Sequence, residues 1–196
     1  YVSVYDFKRA VDDGATVPLY YENGADTIKE LKNPEISERI LDAIEKADID
    51  VNQQEKLETE FAKEIHILTA EPLLREIAQN FVKHYSDLWT SGKAMFVCLN
   101  KVTCVRMYNY VQEYWAEEVK ALEESIKTAT QQETQELERK LVWMRETEMA
   151  VVISQEQNEI QTFQKWNLDI KSHRIKMEKR ELDKEFKDAQ NPFRVV

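Results

Sequence analysis

Apolar positions recur along this chain at two different periods, and the switches between them mark out its elements. From Asn33 to about Tyr85 they return every three or four residues, the spacing that keeps one face of a helix apolar. Ile36, Ile40, Leu41 and Ile44 form a first stripe, with Pro34 placed for a first turn. Leu57, Phe61 and Ile65 form a second, and a third begins after Thr69 with Leu74, Ile77, Ala78, Phe81, Val82 and Tyr85. Ahead of them, Val2 to Tyr5 alternates as a short strand, and Phe7, Ala10 and Val11 suit a turn or two of helix. Asp12-Asp13-Gly14 then stops that helix, Gly14 fitting a left-handed cap. Val17 to Glu22 is β-prone with Pro18 near its start, and Asn23-Gly24 marks a turn.

After Ser91-Gly92 the period is lost, and residues 93–99 form a nearly unbroken apolar run that suits a central parallel strand covered on both faces. Met149 to Ser154 and Phe193 to Val196 are runs of the same kind. Strands separated by helical segments predict an α/β sheet with right-handed crossovers. The first crossover is too long for one simple unit. A helix over 101–126 would reach roughly 39 Å, whereas the strand before it covers about 20 Å. A second helix over 131–146, roughly 24 Å long, could return the chain to the sheet. Trp115, Val119, Leu122 and Ile126 would face Leu137, Leu141 and Met144 across a bend held by Thr128 to Thr134. The expectation is a projecting antiparallel helical hairpin over 113–147, whose residues 116–144 a short linker could replace while the sheet stays folded. Further on, Ile160, Phe163 and Trp166 predict one helical face, followed by a charged helix from about Leu168 to Ala189 that Asn191-Pro192 ends.

Composition narrows the possibilities. A chain of 196 residues suits one sizeable domain or one and part of a second, and 42% apolar with 33% charged residues can bury a core. No apolar window is long enough to span a bilayer and no basic leader opens the chain, so a cytoplasmic location is expected. Cys98 and Cys104 lack partners at zinc-ligand spacing and read as buried thiols; no metal ligand or catalytic residue is expected in these residues. A formal charge of −10 argues against a freestanding nucleic-acid binder, although a lobe of a larger motor need present only a narrow DNA-facing edge. Gly14, Gly24 and Gly92 are the three glycines, and no glycine-rich phosphate loop can be built from them. Any ATP would have to be held by residues outside this sequence.

In a parallel sheet flanked by helices, ligands bind beyond the carboxyl ends of the strands, where helix N-termini point free N–H groups outward. Asn100 and Lys101 follow the first strand, and Ser154 and Gln155 follow the second. These four could hold successive phosphates of one DNA strand. Asn100 and Ser154 equally suit the capping of the helices that follow. His66, His84 and His173 have no neighbouring groups that suggest catalysis and are expected at the surface or at an interface, while Trp115 and Trp143 suit packing anchors of the hairpin. Lys171, Arg174, Lys176, Lys179 and Arg180 alternate with acids, which predicts a solvated, ion-paired helix.

The run from Val2 to Glu22, VSVYDFKRAVDDGATVPLYYE, resembles the segment that follows the first RecA-like lobe in motor subunits of type I restriction enzymes. Gly92 to Lys101, GKAMFVCLNK, is similar to that family's motif IV, at the start of the second helicase lobe. The family's corner is more often Ser-Arg than Asn100-Lys101, and lysine lacks the planar fork of arginine. Met149 to Gln155 resembles the next strand of that lobe, and Phe193 to Val196 the strand leading into motif V. The resemblance implies an incomplete RecA-like parallel sheet with a large helical content. Its parts would be an inter-lobe junction over 1–32, a helical spacer over 33–90 and a partial second lobe over 91–196. It also implies ATP-dependent translocation of double-stranded DNA by an intact subunit that uses ATP and Mg2+, cleaves DNA and works with methylation and specificity subunits. The fragment alone is expected to be inactive and to hold no cofactor. A different function class fits the acidic, helix-rich composition: a helical scaffold module with a small α/β core that holds protein partners.

Overall fold

The computed structural model describes residues 6–18, 20–21, 65 and 68–196. They fall into two compact units, Tyr1–Asn33 and Pro34–Val196. The expected strand at Val2 to Tyr5 and the first two helical stripes, apart from Ile65, lie outside the described residues.

In the first unit, α1 spans Phe7–Asp12 and starts at Asp6, whose carboxylate accepts the Arg9 N–H at 2.9 Å. Gly14 has φ +69°, its N–H donates to the Val11 carbonyl, and the Ala15 N–H donates to Ala10 at 2.8 Å. That pair of bonds is a Schellman ending, and the positive φ explains the glycine. The β-prone run after it is not a strand where it is described: Val17, Tyr20 and Tyr21 are exposed and carry no sheet pairing. β-branched and aromatic side chains form a strand only where another strand or a core accepts them.

The second unit is mostly helical around a small parallel sheet. Helix α2, Glu71–Asp87, lays Leu74, Ala78, Val82 and Tyr85 against α3, Lys101–Thr128. Helix α4, Gln131–Glu146, returns along α3 after only Ala129 and Thr130. Trp115 and Leu122 on α3 share one core with Leu141 and Met144 on α4, and the Trp115 indole donates to the Met144 carbonyl at 3.0 Å. The predicted stripes therefore meet, but the expectation that residues 116–144 lie outside the core is overturned. Met144 is 1% exposed and packs in the same cluster as Met149 and Val195 of the sheet. Only beyond Leu122 and before Leu141 does the helix pair lack buried residues.

The sheet consists of β1, Glu148–Met149, paired in parallel with β2, Phe193–Val195; Ala94 joins the other side of β2 through a parallel bridge. The last segment in sequence is thus the middle one, not residues 93–99. Asn191 prepares it, its side chain accepting the Phe193 N–H at 2.9 Å. Beyond the Ala94 bridge, the Phe96 N–H donates to the Val196 carbonyl, just after β2, at 2.7 Å. Nor is the first run covered on both faces. Ala94, Phe96 and Cys98 face the helical core, while Met95, Val97 and Leu99 are exposed. Tyr85 ties this segment down, its hydroxyl donating to the Gly92 carbonyl at 2.8 Å; burial pushes the phenol up to about 12.

After β1 the helices are shorter than predicted. Of Ile160, Phe163 and Trp166, only Phe163 is buried, because α5 runs just from Glu159 to Gln164. The single charged helix is two: α6, Lys171–Lys179, and α7, Leu182–Lys187. Arg180 is extended between them and its guanidinium binds Glu185 and Glu148, which turns Leu182 and Phe186 onto Phe193 and Ala150. His173 is not at the surface: it is buried, edge-on to Tyr108 at 4.7 Å, and burial holds its imidazole below the ordinary value. His84 is exposed, as expected, and His66 lies outside the described residues.

Candidate nucleic-acid interface

Parallel pairing through β2 sends residues 94–96 and 148–150 in one direction, so the chain segments that follow them emerge at the same end of the sheet. At that end Asn100 begins α3. Its φ and ψ are extended, and its carboxamide oxygen accepts the Thr103 N–H at 2.8 Å, which satisfies one of the helix's free donors. The capping role is therefore observed for Asn100, whose side chain is otherwise exposed. Ser154 and Gln155 are exposed and do not cap α5, which begins at Glu159 with Asn158 in the cap position.

Lys101 occupies the first helical position of α3 and reaches across to the loop after β1, its ammonium 2.5 Å from the Glu156 carboxylate. That contact brings the two predicted corners together. It also leaves the lysine already paired. Glu156 is more than half exposed, and a pair so open to water contributes at most about 1 kcal/mol, so a stronger anion can displace it.

The loop is held from behind by a second pair. The Glu156 N–H donates to Glu159, whose carboxylate takes both N–H edges of Arg174 at 2.9 and 2.7 Å. Arg174 also donates to the Ile153 carbonyl at 3.1 Å. Glu159 is 8% exposed, and the Arg174 guanidinium holds its carboxyl below the usual carboxylate range. Asn158 closes the loop with φ 64°, a left-handed conformation that asparagine tolerates. Asn158→Ala should cost about 1–2 kcal/mol, and Asn158→Gly much less. Urea unfolding midpoints of the two variants check this; equal losses would mean that the carboxamide, not the backbone, matters. Flanking the loop is an open groove of about 620 Å3 lined by Gln155, Gln157, Asn158, Gln161 and Gln164, side chains that can both donate and accept.

Compared with curated proteins, the chain is 32% identical over 113 residues to the type I restriction enzyme HindI endonuclease subunit of Haemophilus influenzae, which covers 57% of this chain and 10% of that protein. It is 27% identical over 119 residues to the putative type I restriction enzyme MjaIXP endonuclease subunit of Methanocaldococcus jannaschii, covering 57% of this chain and 11% of that one. Over a little more than half of its residues, this chain is similar to the endonuclease subunits of two type I restriction enzymes. It spans about a tenth of the length of the curated relatives it matches. No family model and no solved structure matches it.

Glu156, Glu159 and Arg174 complete the corner, and the sequence pattern did not single out the two glutamates. Their partners lie 55 and 15 residues away, separations with no periodic signature. Of the five basic residues of the predicted charged helix, Arg174 pairs with Glu159 and Arg180 with Glu148 and Glu185, all on other elements, while Lys176 donates to the Met149 carbonyl. Among the described residues no group of His, Cys, Asp and Glu could hold a metal, and no helix is long and apolar enough to cross a membrane.

Proposed function

We propose that this chain is part of the ATP-dependent DNA translocase motor of a type I restriction endonuclease, running from the end of the first helicase lobe into a RecA-like second lobe. In this reading Asn100, Lys101, Ser154 and Gln155 lie along the backbone of double-stranded DNA, in a cytoplasmic complex with methylation and specificity subunits. The observation that carries it is the Lys101–Glu156 bridge, which joins the two strand-end corners at one edge of a parallel sheet. Similarity to two endonuclease subunits supports the setting.

ATP and Mg2+ belong, in this proposal, to the intact subunit. The described residues do not fit them. The described glycines, Gly14 and Gly92, have nothing within 4 Å of where a Cβ would stand, so neither lines a tight cradle, and no acidic cluster among the described residues suits a cation. What this chain's residues supply is a cation and amide groups for phosphate oxygens. A scaffold role remains the second reading, favoured by the predominance of helix and the charge of −10.

Lys101→Glu in the intact subunit, assembled with its methylation and specificity partners, tests the proposal. A charge-assisted contact is worth about 1.5–3 kcal/mol, so DNA-stimulated ATP hydrolysis and translocation should fall roughly tenfold or more. Methylation should continue, and the salt slope of DNA binding should drop by about one. Normal translocation across a range of salt concentrations would remove Lys101 from the DNA track and leave the scaffold reading ahead.

A further inference from the structure

Three of the chain's tryptophans, Trp89, Trp115 and Trp143, pack ring against ring with one another or with Tyr85. Trp166 does not. It is 52% exposed, and among the described residues it meets no other ring and joins no apolar cluster. What lies over its ring is a cation, the Arg106 guanidinium, 5.5 Å from the centre. Arg106 is also 6.0 Å from the Tyr110 ring, which Arg75 covers at 4.4 Å, so cations and rings alternate from Arg75 out to Trp166. The two arginines differ in their charge partners. Arg75 is paired with Glu71 and Glu113, whereas Arg106 donates to the neutral Thr69 carbonyl at 2.8 Å and makes no ion pair among the described residues.

We infer that Trp166 and Arg106 form a site for unpaired nucleotides of a nucleic-acid strand, the indole stacking on a base and the guanidinium taking a neighbouring phosphate.

The indole is mounted rigidly. Helix α5 ends in a Schellman turn: Asn167 has φ 53°, its N–H donates to the Gln164 carbonyl at 3.0 Å, and the Leu168 N–H donates to the Phe163 carbonyl at 3.0 Å. Phe163 is buried and Leu168 packs in its cluster, so the backbone holds Trp166 outside the core. A platform fixed in advance loses little freedom when a base lands on it. Gln164 and Asn167, on the same turn, line an open groove of about 320 Å3 with Asp169 and Lys171, and their amides can meet both donors and acceptors of a base edge. The site continues the Lys101 corner, because Arg106 lies about 7.5 Å of helix rise beyond Lys101 on α3. Its ligand is nevertheless different. A base inside a duplex is stacked on its neighbours, so only an unpaired one can reach the indole.

Titrating the full chain with a short oligothymidylate, and with a duplex of the same length, tests this. The single strand should quench part of the tryptophan fluorescence saturably, Trp166 being the tryptophan open to it. Variants are then compared by anisotropy of a labelled oligothymidylate. Trp166→Ala should weaken binding about tenfold, the loss of one base stack, and Trp166→Phe should restore most of it. Arg106→Gln should lower the salt slope by about 0.7, the share of one phosphate in a single strand, and it supplies an independent reading should Trp166→Ala fold poorly. Duplex binding should not depend on Trp166. No saturable binding by the parent chain, equal binding by parent and Trp166→Ala, or the same loss with duplex would overturn the inference. Such a failure leaves the duplex role of Lys101 standing, since that is read from translocation by the intact subunit.

Discussion

Arg174→Ala should destabilise the second unit by about 3–5 kcal/mol, the usual result of removing one partner from a buried ion pair. Glu159 would be left 8% exposed with both of its guanidinium bonds gone, and the Ile153 carbonyl would lose its donor. Arg174→Lys should recover only part of the loss, since an ammonium cannot hold both carboxylate oxygens as the fork does. Replacing the two together by methionine should recover most of it, because the main cost is the stranded charge and not the missing attraction. The pair also sets a pH dependence. The folded carboxyl of Glu159 lies below its ordinary value of 4.5, chiefly through its bonds to Arg174. Its contribution is therefore complete above about 4.5 and is lost as pH falls through the lower, folded value. Urea unfolding of the parent chain and Arg174→Ala should converge as acid is added. A difference under 1 kcal/mol at neutral pH would show that α5 and α6 hold the loop without the pair.

A comparably large effect is expected where the helix pair meets the sheet. Met144→Ala should cost about 2–5 kcal/mol, because this 1% exposed side chain fills space shared by α3, α4, Met149 and Val195. A short flexible linker in place of residues 124–138 should leave cooperative unfolding intact, since no residue there is buried. Removing 116–144 should abolish it. It would take Leu122, Leu141 and Met144 from the core, and with Trp143 the ring over which the Arg194 guanidinium lies at 5.4 Å. Calorimetry of the two deletions separates the base of the helix pair from its tip. If the longer deletion still melts in one sharp transition, the sheet and α2 form a core of their own.

Both expectations depend on contacts that the apolar pattern alone does not reveal. The pattern does reveal α2, α3 and α4, because an apolar stripe at helical spacing needs only a neighbouring face, and short connections make adjacent stripes that neighbour. The glycine stop after α1 is similarly local: two bonds within the six residues 10–15 define it.

Strands behave differently. Residues 93–99 and 149–154 were visible as apolar runs, but which of their residues pair, and that both pair with β2, depends on a partner far along the chain. The candidate corner divides in the same way. Asn100 as a cap follows from its own position ahead of a helical stripe, whereas the pairing of Lys101 with Glu156 requires two loops that meet only through the sheet.

By itself, then, the sequence determined the helical framework, the parallel apolar runs, the cap at Asn100 and the likeness to type I endonuclease subunits that the comparisons bear out. Tertiary structure alone decided the middle place of β2, the exposure of Met95 and Val97, the break at Arg180 and the Lys101–Glu156 and Glu159–Arg174 pairs. The division has one cause. Helices and caps are closed by hydrogen bonds a few residues apart, so local sequence specifies them, while strand pairing, burial and ion pairs join residues far apart in the chain and are set only when the whole unit packs.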